Sequence, residues 1–338
     1  MNMHRTITRF VLFVALAMAA PRVAHAEAGA LRVSKGFGIH YLALYVMEKL
    51  QLVEKHAAAA GLGNVKVTYS VLDGGNVIND AMLAGSLDIA TAGVPGFLTL
   101  WDKAHAVRQY EVEGLSAVGA GSVWLVTRNP HIRTLADYTD KDRIAVPGIK
   151  TSFVAIVLQM AAAQAFGNAN YAKLDPLTVS LPHPDALSAM LSRRSEITSH
   201  FSSPPFSYLE NDQPDFHRVV NSADIVGPMT IIMAYARRTF FEANPKLSLA
   251  FVDAVRDAAA YIAANKREAA RVYLSLARVK ATEDEMLRML NDPDTHYSAV
   301  PEGVMKYASF MNEIGTVKTP MKSWKDVFFP IIHAEAGN

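Results

Sequence analysis

The chain has 338 residues, of which 51% are hydrophobic and 19% charged, and it carries a formal net charge of +1 with no cysteine. This is not the strongly basic composition of a nucleic-acid-binding chain, and the absence of cysteine excludes disulfides and thiol chemistry. The length is ample for a buried core and predicts two domains rather than one.

The first 26 residues have the pattern of a secretory signal peptide. Arg5 and Arg9 give a basic start, residues 10–20 are an uninterrupted apolar run, and Ala24-His25-Ala26 supplies the small residues of a cleavage site. The apolar run is shorter than the roughly 18 residues that a membrane span needs. From Glu27 onward the net charge becomes −2 (+1 minus 3), because the removed segment holds three arginines and no acid. Export without a lipid anchor is expected, since no cysteine stands at the cleavage site.

Strand-like and helix-like stretches alternate along the rest of the chain, which predicts an α/β fold. The pattern predicts strands over residues 31–33, 65–71, 87–91, 123–126 and 143–146. It predicts helices over residues 41–50, 77–84, 153–166, 247–264, 266–276 and 302–314.

The first strand-to-helix turn has an unusual composition. Its sequence KGFGIHY, residues 35–41, places two glycines, a lysine, a histidine and two aromatics where a strand gives way to a helix. Such a turn presents free backbone N–H groups at a helix N-terminus, which suits an anionic or polar ligand. A tight loop that merely needs glycine is the alternative interpretation.

Two short segments recur further along the chain in the same order. The segment AMLAGSLDIATAG at 81–93 resembles AMLSRRSEITSHF at 189–201, an offset of 108 residues, and GIHY at 38–41 resembles GIKT at 148–151, an offset of 110. The repeat predicts two similar α/β lobes. Since ligands of open α/β sheets bind beyond the carboxyl ends of the strands, the two sets of loops are expected to face one cleft.

The sequence resembles the periplasmic substrate-binding proteins of ABC importers, in the branch for nitrate, aliphatic sulfonates, taurine and thiamine-precursor pyrimidines. The resemblance is carried by residues 31–41, 81–95, 124–126, 143–148, 200–205 and 323–329. It implies a type II periplasmic-binding-protein fold, in which each lobe is a mixed, mostly parallel sheet flanked by helices and two crossing strands join the lobes. Lobe one would comprise 27–120 with 230–338, and lobe two 121–229, with crossings near 118–126 and 224–235.

The same resemblance implies what the protein works with. A small-molecule ligand would be clamped between the lobes and passed to a permease in the inner membrane, which is driven by a cytoplasmic ATPase. The protein would be a periplasmic monomer without cofactor or metal. Import cannot be separated from ligand sensing at this level.

Motifs for catalysis are absent from the sequence. The eleven histidines show no H-E-x-x-H spacing, the glycines at 36 and 38 lack the third glycine of a dinucleotide fingerprint, and no G-x-S-x-G elbow occurs. A related branch contains a pyrimidine synthase that relies on cysteines, which this chain lacks. Binding rather than catalysis is therefore expected, with an enzyme on the same fold as the less favoured alternative.

Candidate ligand-binding residues lie in the matched loops of both lobes. In lobe one they are Gly38, His40, Tyr41, Gly75, Asn76, Thr91, Ala92 and Gly93. In lobe two they are Lys150, Thr151, Ser152, His200, Phe201 and Ser202. Helix capping is the competing role for Asn76, Thr151 and Ser152.

The cations and aromatic rings of these loops suggest two kinds of ligand. A small organic anion, either an aliphatic sulfonate or an aromatic carboxylate, would place its charge near Lys150 at the start of the apolar helix. A neutral or pyrimidine-like ring would instead stack on Tyr41 or Phe201. The anion is the leading hypothesis and the ring the alternative.

Overall fold

A computed structural model describes residues 26–227, 229–277 and 279–338. The predicted signal peptide lies outside these residues, apart from Ala26. Ten strands are found in the described ranges: β1 (Ala30–Lys35), β2 (Lys66–Val71), β3 (Ile89–Gly93), β4 (Val112–Ala120), β5 (Trp124–Thr127), β6 (Ile144–Val146), β7 (Thr178–Ser180), β8 (Ser199–Ser202), β9 (His217–Asn221) and β10 (Thr230–Arg237).

The strands form two five-stranded sheets with matching topology. The first has the order β2-β1-β3-β10-β4 and the second β7-β6-β8-β5-β9. In the first sheet β10 pairs antiparallel with β3 and β4, whereas β1 pairs parallel with β2 and β3. In the second sheet β5 is the antiparallel strand, and β6 pairs parallel with β7 and β8. The prediction of mixed, mostly parallel sheets is confirmed.

Helices flank both sheets. In the described ranges they are α1 (Leu42–Leu50), α2 (Leu52–Ala59), α3 (Gly75–Leu83), α4 (Val94–Ala104), α5 (Phe153–Phe166), α6 (His183–Ser192), α7 (Phe206–Asn211), α8 (Ser222–Val226), α9 (Arg238–Ala243), α10 (Pro245–Ala264), α11 (Lys266–Leu276), α12 (Glu283–Leu290) and α13 (Val304–Glu313). In α10 the buried residues Leu247, Phe251 and Val255 recur at every fourth position, so one stripe faces the core. No helix of the described residues is long and apolar enough to cross a membrane.

The internal repeat has a structural counterpart. In the first sheet α3 leads into β3, and in the second α6 leads into β8, so the two AML segments end equivalent helices. Likewise β1 and β6 are both central strands, each followed by a glycine turn and a helix. The prediction of two similar α/β units is confirmed at the level of topology.

The chain passes between the sheets twice. Residues 121–123 join β4 to β5, and the chain returns between α8 and β10. Both passages fall within the predicted crossing segments. The residue bounds of the two lobes stay a prediction.

Candidate functional site

A cavity of about 50 Å³ lies between the two sheets, where the parallel strands end. From the first sheet it is lined by residues that follow or end β1, β2 and β3: Phe37, His40, Tyr41, Asp73, Gly74, Gly75, Ile78, Ala92 and Gly93. From the second it is lined by residues that follow β6, β7 and β8: Pro147, Thr151, Ser152, Phe153, Val154, His183 and Ser203. This is the place where open α/β sheets bind their ligands.

The two walls of the cavity touch each other. The backbone N–H of Ile39 donates to the carbonyl oxygen of Pro204 at 2.8 Å, which joins the loop after β1 to the loop after β8. Glycine permits this approach at Gly74, whose φ is +87° and where an added Cβ would lie 2.8 Å from the Pro147 carbonyl oxygen. The structure is therefore a closed arrangement of the two sheets.

Two buried polar groups of the cavity wall have no hydrogen-bond partner within the described residues. Both ring nitrogens of His40 are unpaired, and so is the hydroxyl oxygen of Thr151. Burial, with smaller contributions from His183 and His296, lowers the pKa of His40 from 6.5 to about 3, so its ring is neutral. Buried polar atoms without partners are costly.

Four helices begin at the cavity. They are α3, α4, α5 and α6, whose N-cap residues are Gly74, Gly93, Ser152 and Pro182. Helix N-termini offer free N–H groups and a partial positive charge. The Ser152 hydroxyl oxygen accepts from the Ala155 N–H at 3.3 Å and so caps α5.

Asp73 places a negative charge in the cavity wall. Among the residues described, it is the only charged side chain that lines the cavity. One carboxylate oxygen accepts from the Gly74 N–H at 3.0 Å, at the start of α3, and the other from the His183 N–H at 3.3 Å, at the start of α6. A carboxylate of the protein thus already faces two of the four helix N-termini.

His183 begins a chain of hydrogen bonds that leads from the cavity into the second lobe's core. Its Nδ1 lies 2.8 Å from Nε2 of His200, and Nδ1 of His200 lies 2.6 Å from a carboxyl oxygen of Glu210. The Ser202 hydroxyl donates to the other carboxyl oxygen at 3.1 Å. The His183 ring also stacks on Phe206, with centroids 5.5 Å apart.

Half of the residues predicted from sequence line the cavity. They are His40, Tyr41, Gly75, Ala92, Gly93, Thr151 and Ser152. The other seven do not line it: Gly38, Asn76, Thr91, Lys150, His200, Phe201 and Ser202.

For the three residues of lobe one that do not line the cavity, local contacts or exposure account for their position. The N–H of Gly38 bonds to the Tyr273 hydroxyl at 3.1 Å. Asn76 is exposed and does not cap its helix, because the N-cap position is Gly74. The Thr91 hydroxyl donates to the Ser34 carbonyl at 2.6 Å, so it faces the sheet rather than the cavity.

The predicted residues of lobe two that do not line the cavity are either exposed at the surface or buried behind the cavity wall. Lys150 is exposed beside the cavity, and no arginine or lysine replaces it among the described lining residues. Phe201 is fully buried in the core, while His200 and Ser202 hold Glu210. Their place behind the wall follows from lying within β8, whose four residues are all buried.

Asp73 and His183 are the ionisable lining residues that were not predicted from the sequence. They are 110 residues apart, the same offset that relates GIHY to GIKT, and each lies in the loop or helix start after an equivalent strand, β2 or β7. Within the described ranges no group of His, Asp and Glu is arranged to hold a metal ion.

No family model matches the chain, and no curated protein matches it. Solved structures match at low identity. The periplasmic aliphatic sulphonate binding protein SsuA from Escherichia coli is 17% identical with a TM-score of 0.64, covering 90% of this chain and 99% of that one. The alkanesulfonate-binding protein SsuA from Xanthomonas axonopodis pv. citri, bound to MOPS, is 15% identical with a TM-score of 0.65, covering 93% and 99%.

A nitrate-binding relative has the same fold. The periplasmic nitrate-binding protein NrtA from Synechocystis PCC 6803 is 12% identical with a TM-score of 0.66, covering 89% of this chain and 85% of that one. The chain therefore has the periplasmic-binding-protein fold, as predicted, and its structural neighbours are those of the family that its sequence resembles.

Proposed function

We propose that this chain is the solute-binding component of an ABC import system. It takes up a small molecule between lobes formed by 27–120 with 230–338 and by 121–229, and delivers it to an inner-membrane permease with a cytoplasmic ATPase. It acts as a periplasmic monomer after removal of the signal peptide. Support comes from the fold and from a cavity at the strand ends with unpaired polar groups in its wall.

The charge of the cavity decides which ligand we favour. Asp73 is the only charged side chain among the described lining residues, and Lys150 lies outside. Asp73 holds the position at α3 and α6 that an anionic ligand would take, and it repels a second negative charge. We therefore favour a small neutral ring of the pyrimidine type, with an N–H donor for Asp73, over the organic anion expected from the sequence.

The aromatic side chains of the wall fit a planar ligand. Phe37, Tyr41 and Phe153 all border the cavity, and aromatic faces stack well on flat rings. The cavity of about 50 Å³ is smaller than the roughly 150 Å³ that encloses benzene. A bound ring therefore needs the walls further apart than they are in this structure, a movement that the two lobes of such a binding protein provide.

The organic anion remains the second candidate because of the other two helix N-termini. The starts of α4 and α5 are not bonded to Asp73, and the unpaired Thr151 hydroxyl lies beside α5. A sulfonate or carboxylate placed there would be held by N–H groups alone.

Replacing the carboxylate separates the two candidates. Asp73→Asn should weaken 4-aminopyrimidine binding and raise the affinity for benzoate or ethanesulfonate at least tenfold, about 1.4 kcal/mol, because the negative charge is removed. Titration calorimetry of the wild type and the variant measures both.

Asp80→Asn is the matched control, since Asp80 is exposed on α3 and its loss changes the net charge equally. Tight binding of an anion by the wild type, unchanged by Asp73→Asn, would show that the ring is the wrong ligand class.

A further inference from the structure

The chain of side chains behind His183 links the cavity to a buried carboxyl group. The order is His183, His200, Glu210, with ring-to-ring and ring-to-carboxyl distances of 2.8 and 2.6 Å. His183 borders the cavity, while His200 and Glu210 do not. The ring nitrogen of His183 that remains for a ligand is therefore Nε2.

The three hydrogen-bonded side chains are buried, so a net charge on them is costly. His200 and Glu210 are 0% exposed and His183 is 5% exposed. In the described part of the protein, Glu210 meets His200 and the Ser202 hydroxyl but no lysine or arginine. An ionised Glu210 beside two neutral histidines would be a buried charge without compensation, which is costly.

Counting protons gives two arrangements of the chain. With two protons, His200 donates from Nδ1 to the Glu210 carboxylate and His183 donates from Nδ1 to His200, so His183 Nε2 is an acceptor. With three protons, His200 donates from Nε2 to His183 Nδ1, so His183 carries its proton on Nε2 and is a donor. This holds whether the third proton sits on the Glu210 oxygen that faces His200 or on His200 Nδ1, because the Ser202 hydroxyl donates to the other Glu210 oxygen.

Electrostatics favours the arrangement with three protons. It is neutral overall, whereas the arrangement with two protons places a net negative charge in the core near the Asp73 carboxylate, which accepts from the His183 N–H. Burial raises the pKa of Glu210 well above its usual range and lowers that of His200, which acts in the same direction.

We propose that Glu210 and His200 are positioning residues that hold the proton of His183 on Nε2, so that the cavity wall presents a hydrogen-bond donor and selects a ligand with an acceptor atom there. The inference rests on the proposed function for the identity of the ligand. The Asp73 carboxylate accepts a hydrogen bond and the His183 ring donates one. Together they are complementary to a ligand that has a donor and an acceptor next to each other, as an aminopyrimidine does.

Nitrogen NMR of the full chain tests the proton position without any ligand. In ¹⁵N-histidine-labelled protein at pH 7, we expect His183 to be the Nε2–H tautomer. Glu210→Gln should keep this tautomer, because the amide N–H can donate to His200 as the protonated carboxyl does. His200→Phe should release it, since His183 Nδ1 then loses its donor. An Nδ1–H tautomer of His183 in the wild type would overturn the proposal, whatever the variants do.

Binding of two probes tests the selection. 4-Aminopyrimidine has an amino group and ring acceptors, whereas aniline has the amino group alone, so we expect aniline to bind at least tenfold more weakly. Equal affinities would overturn the selection. An Nε2–H tautomer in a protein that binds neither probe would support the hydrogen-bond chain and overturn the proposed ligand class, so the two failures are distinguishable.

Discussion

His40 shows at the scale of one residue how burial of an unpaired polar ring makes stability depend on pH. Its two ring nitrogens are buried in the cavity wall without partners among the described residues, and its pKa is lowered from 6.5 to about 3 mainly by burial. The folded protein therefore excludes a proton that the unfolded chain binds below pH 6.5. The neutral ring therefore contributes to the free energy of unfolding. This contribution is fully present above pH 6.5 and is lost as the pH falls towards 3.

Replacing this histidine with an apolar side chain should flatten the pH dependence. Relative to wild type, His40→Leu should gain about 1.4 kcal/mol of unfolding free energy per pH unit below 6.5, or about 2 kcal/mol at pH 5 compared with pH 7.5. Urea unfolding at the two pH values measures the difference. His131→Leu, at an exposed histidine, is the control. A His40→Leu curve parallel to the wild type would contradict the neutral, buried state of His40.

Sequence reasoning found the glycine turns but not the depth of each side chain. His40 and Thr151 were predicted because both sit where a glycine turn starts a helix. His200 was predicted at the wall and lies behind it, since repeat spacing identifies the strand but not which of its residues reach the cavity. Asp73 was missed because an acidic residue in a D-G-G turn is ordinary turn chemistry until the opposite wall is in place.

At the scale of elements, the hydroxyl groups of two adjacent residues at the start of α5 differ in their hydrogen bonding. The Ser152 hydroxyl accepts the Ala155 N–H, whereas the Thr151 hydroxyl has no partner in the described residues. The sequence left capping and binding open for both. The structure gives the cap to Ser152, and a ligand contact of the Thr151 hydroxyl stays a prediction.

Two substitutions should separate these roles. Ser152→Ala should lower the unfolding free energy by about 1 kcal/mol through loss of the cap. Thr151→Val should keep or raise the unfolding free energy, because its buried hydroxyl is unpaired, and should weaken 4-aminopyrimidine binding about fivefold, since a hydrogen bond of about 1 kcal/mol is lost. Urea unfolding and calorimetry on both variants measure the two effects. If Thr151→Val destabilises the protein as Ser152→Ala does and binds the probe normally, then its hydroxyl is structural.

Regular helices were easier to predict than strands shaped by their neighbours. The bounds of α5 and α11 match the predicted 153–166 and 266–276, because each has a continuous helical pattern. Most of β4 was missed. It contains Gly119, where a Cβ would lie 2.2 Å from the His40 carbonyl oxygen, so its composition reflects a close tertiary approach rather than strand propensity.

At the scale of the whole molecule, the two sheets meet through the loops at their strand ends. Topology makes the sheets equivalent, so the loops that meet across the cavity come from equivalent strand ends. The contacts that hold them together lie in loops and helices, such as the Ile39 N–H to Pro204 bond and the edge contact of the Phe153 ring with Tyr307. The closed form can therefore be weakened without disturbing either sheet.

Gly74→Ala should favour the open form selectively. An added Cβ would lie 2.8 Å from the Pro147 carbonyl oxygen on the opposite wall, a clash that exists only when the walls meet. We expect hydrogen exchange of the Ile39 amide, which bonds across the cavity, to speed up at least tenfold, while the Leu181 amide, which bonds to Val146 within the second sheet, is unchanged. Gly61→Ala is the matched control, because Gly61 has a similar φ of +79° with nothing within 4 Å, so it bears the backbone strain alone. Equal Ile39 exchange in the two variants would mean that contact between the walls at Gly74 does not limit closure.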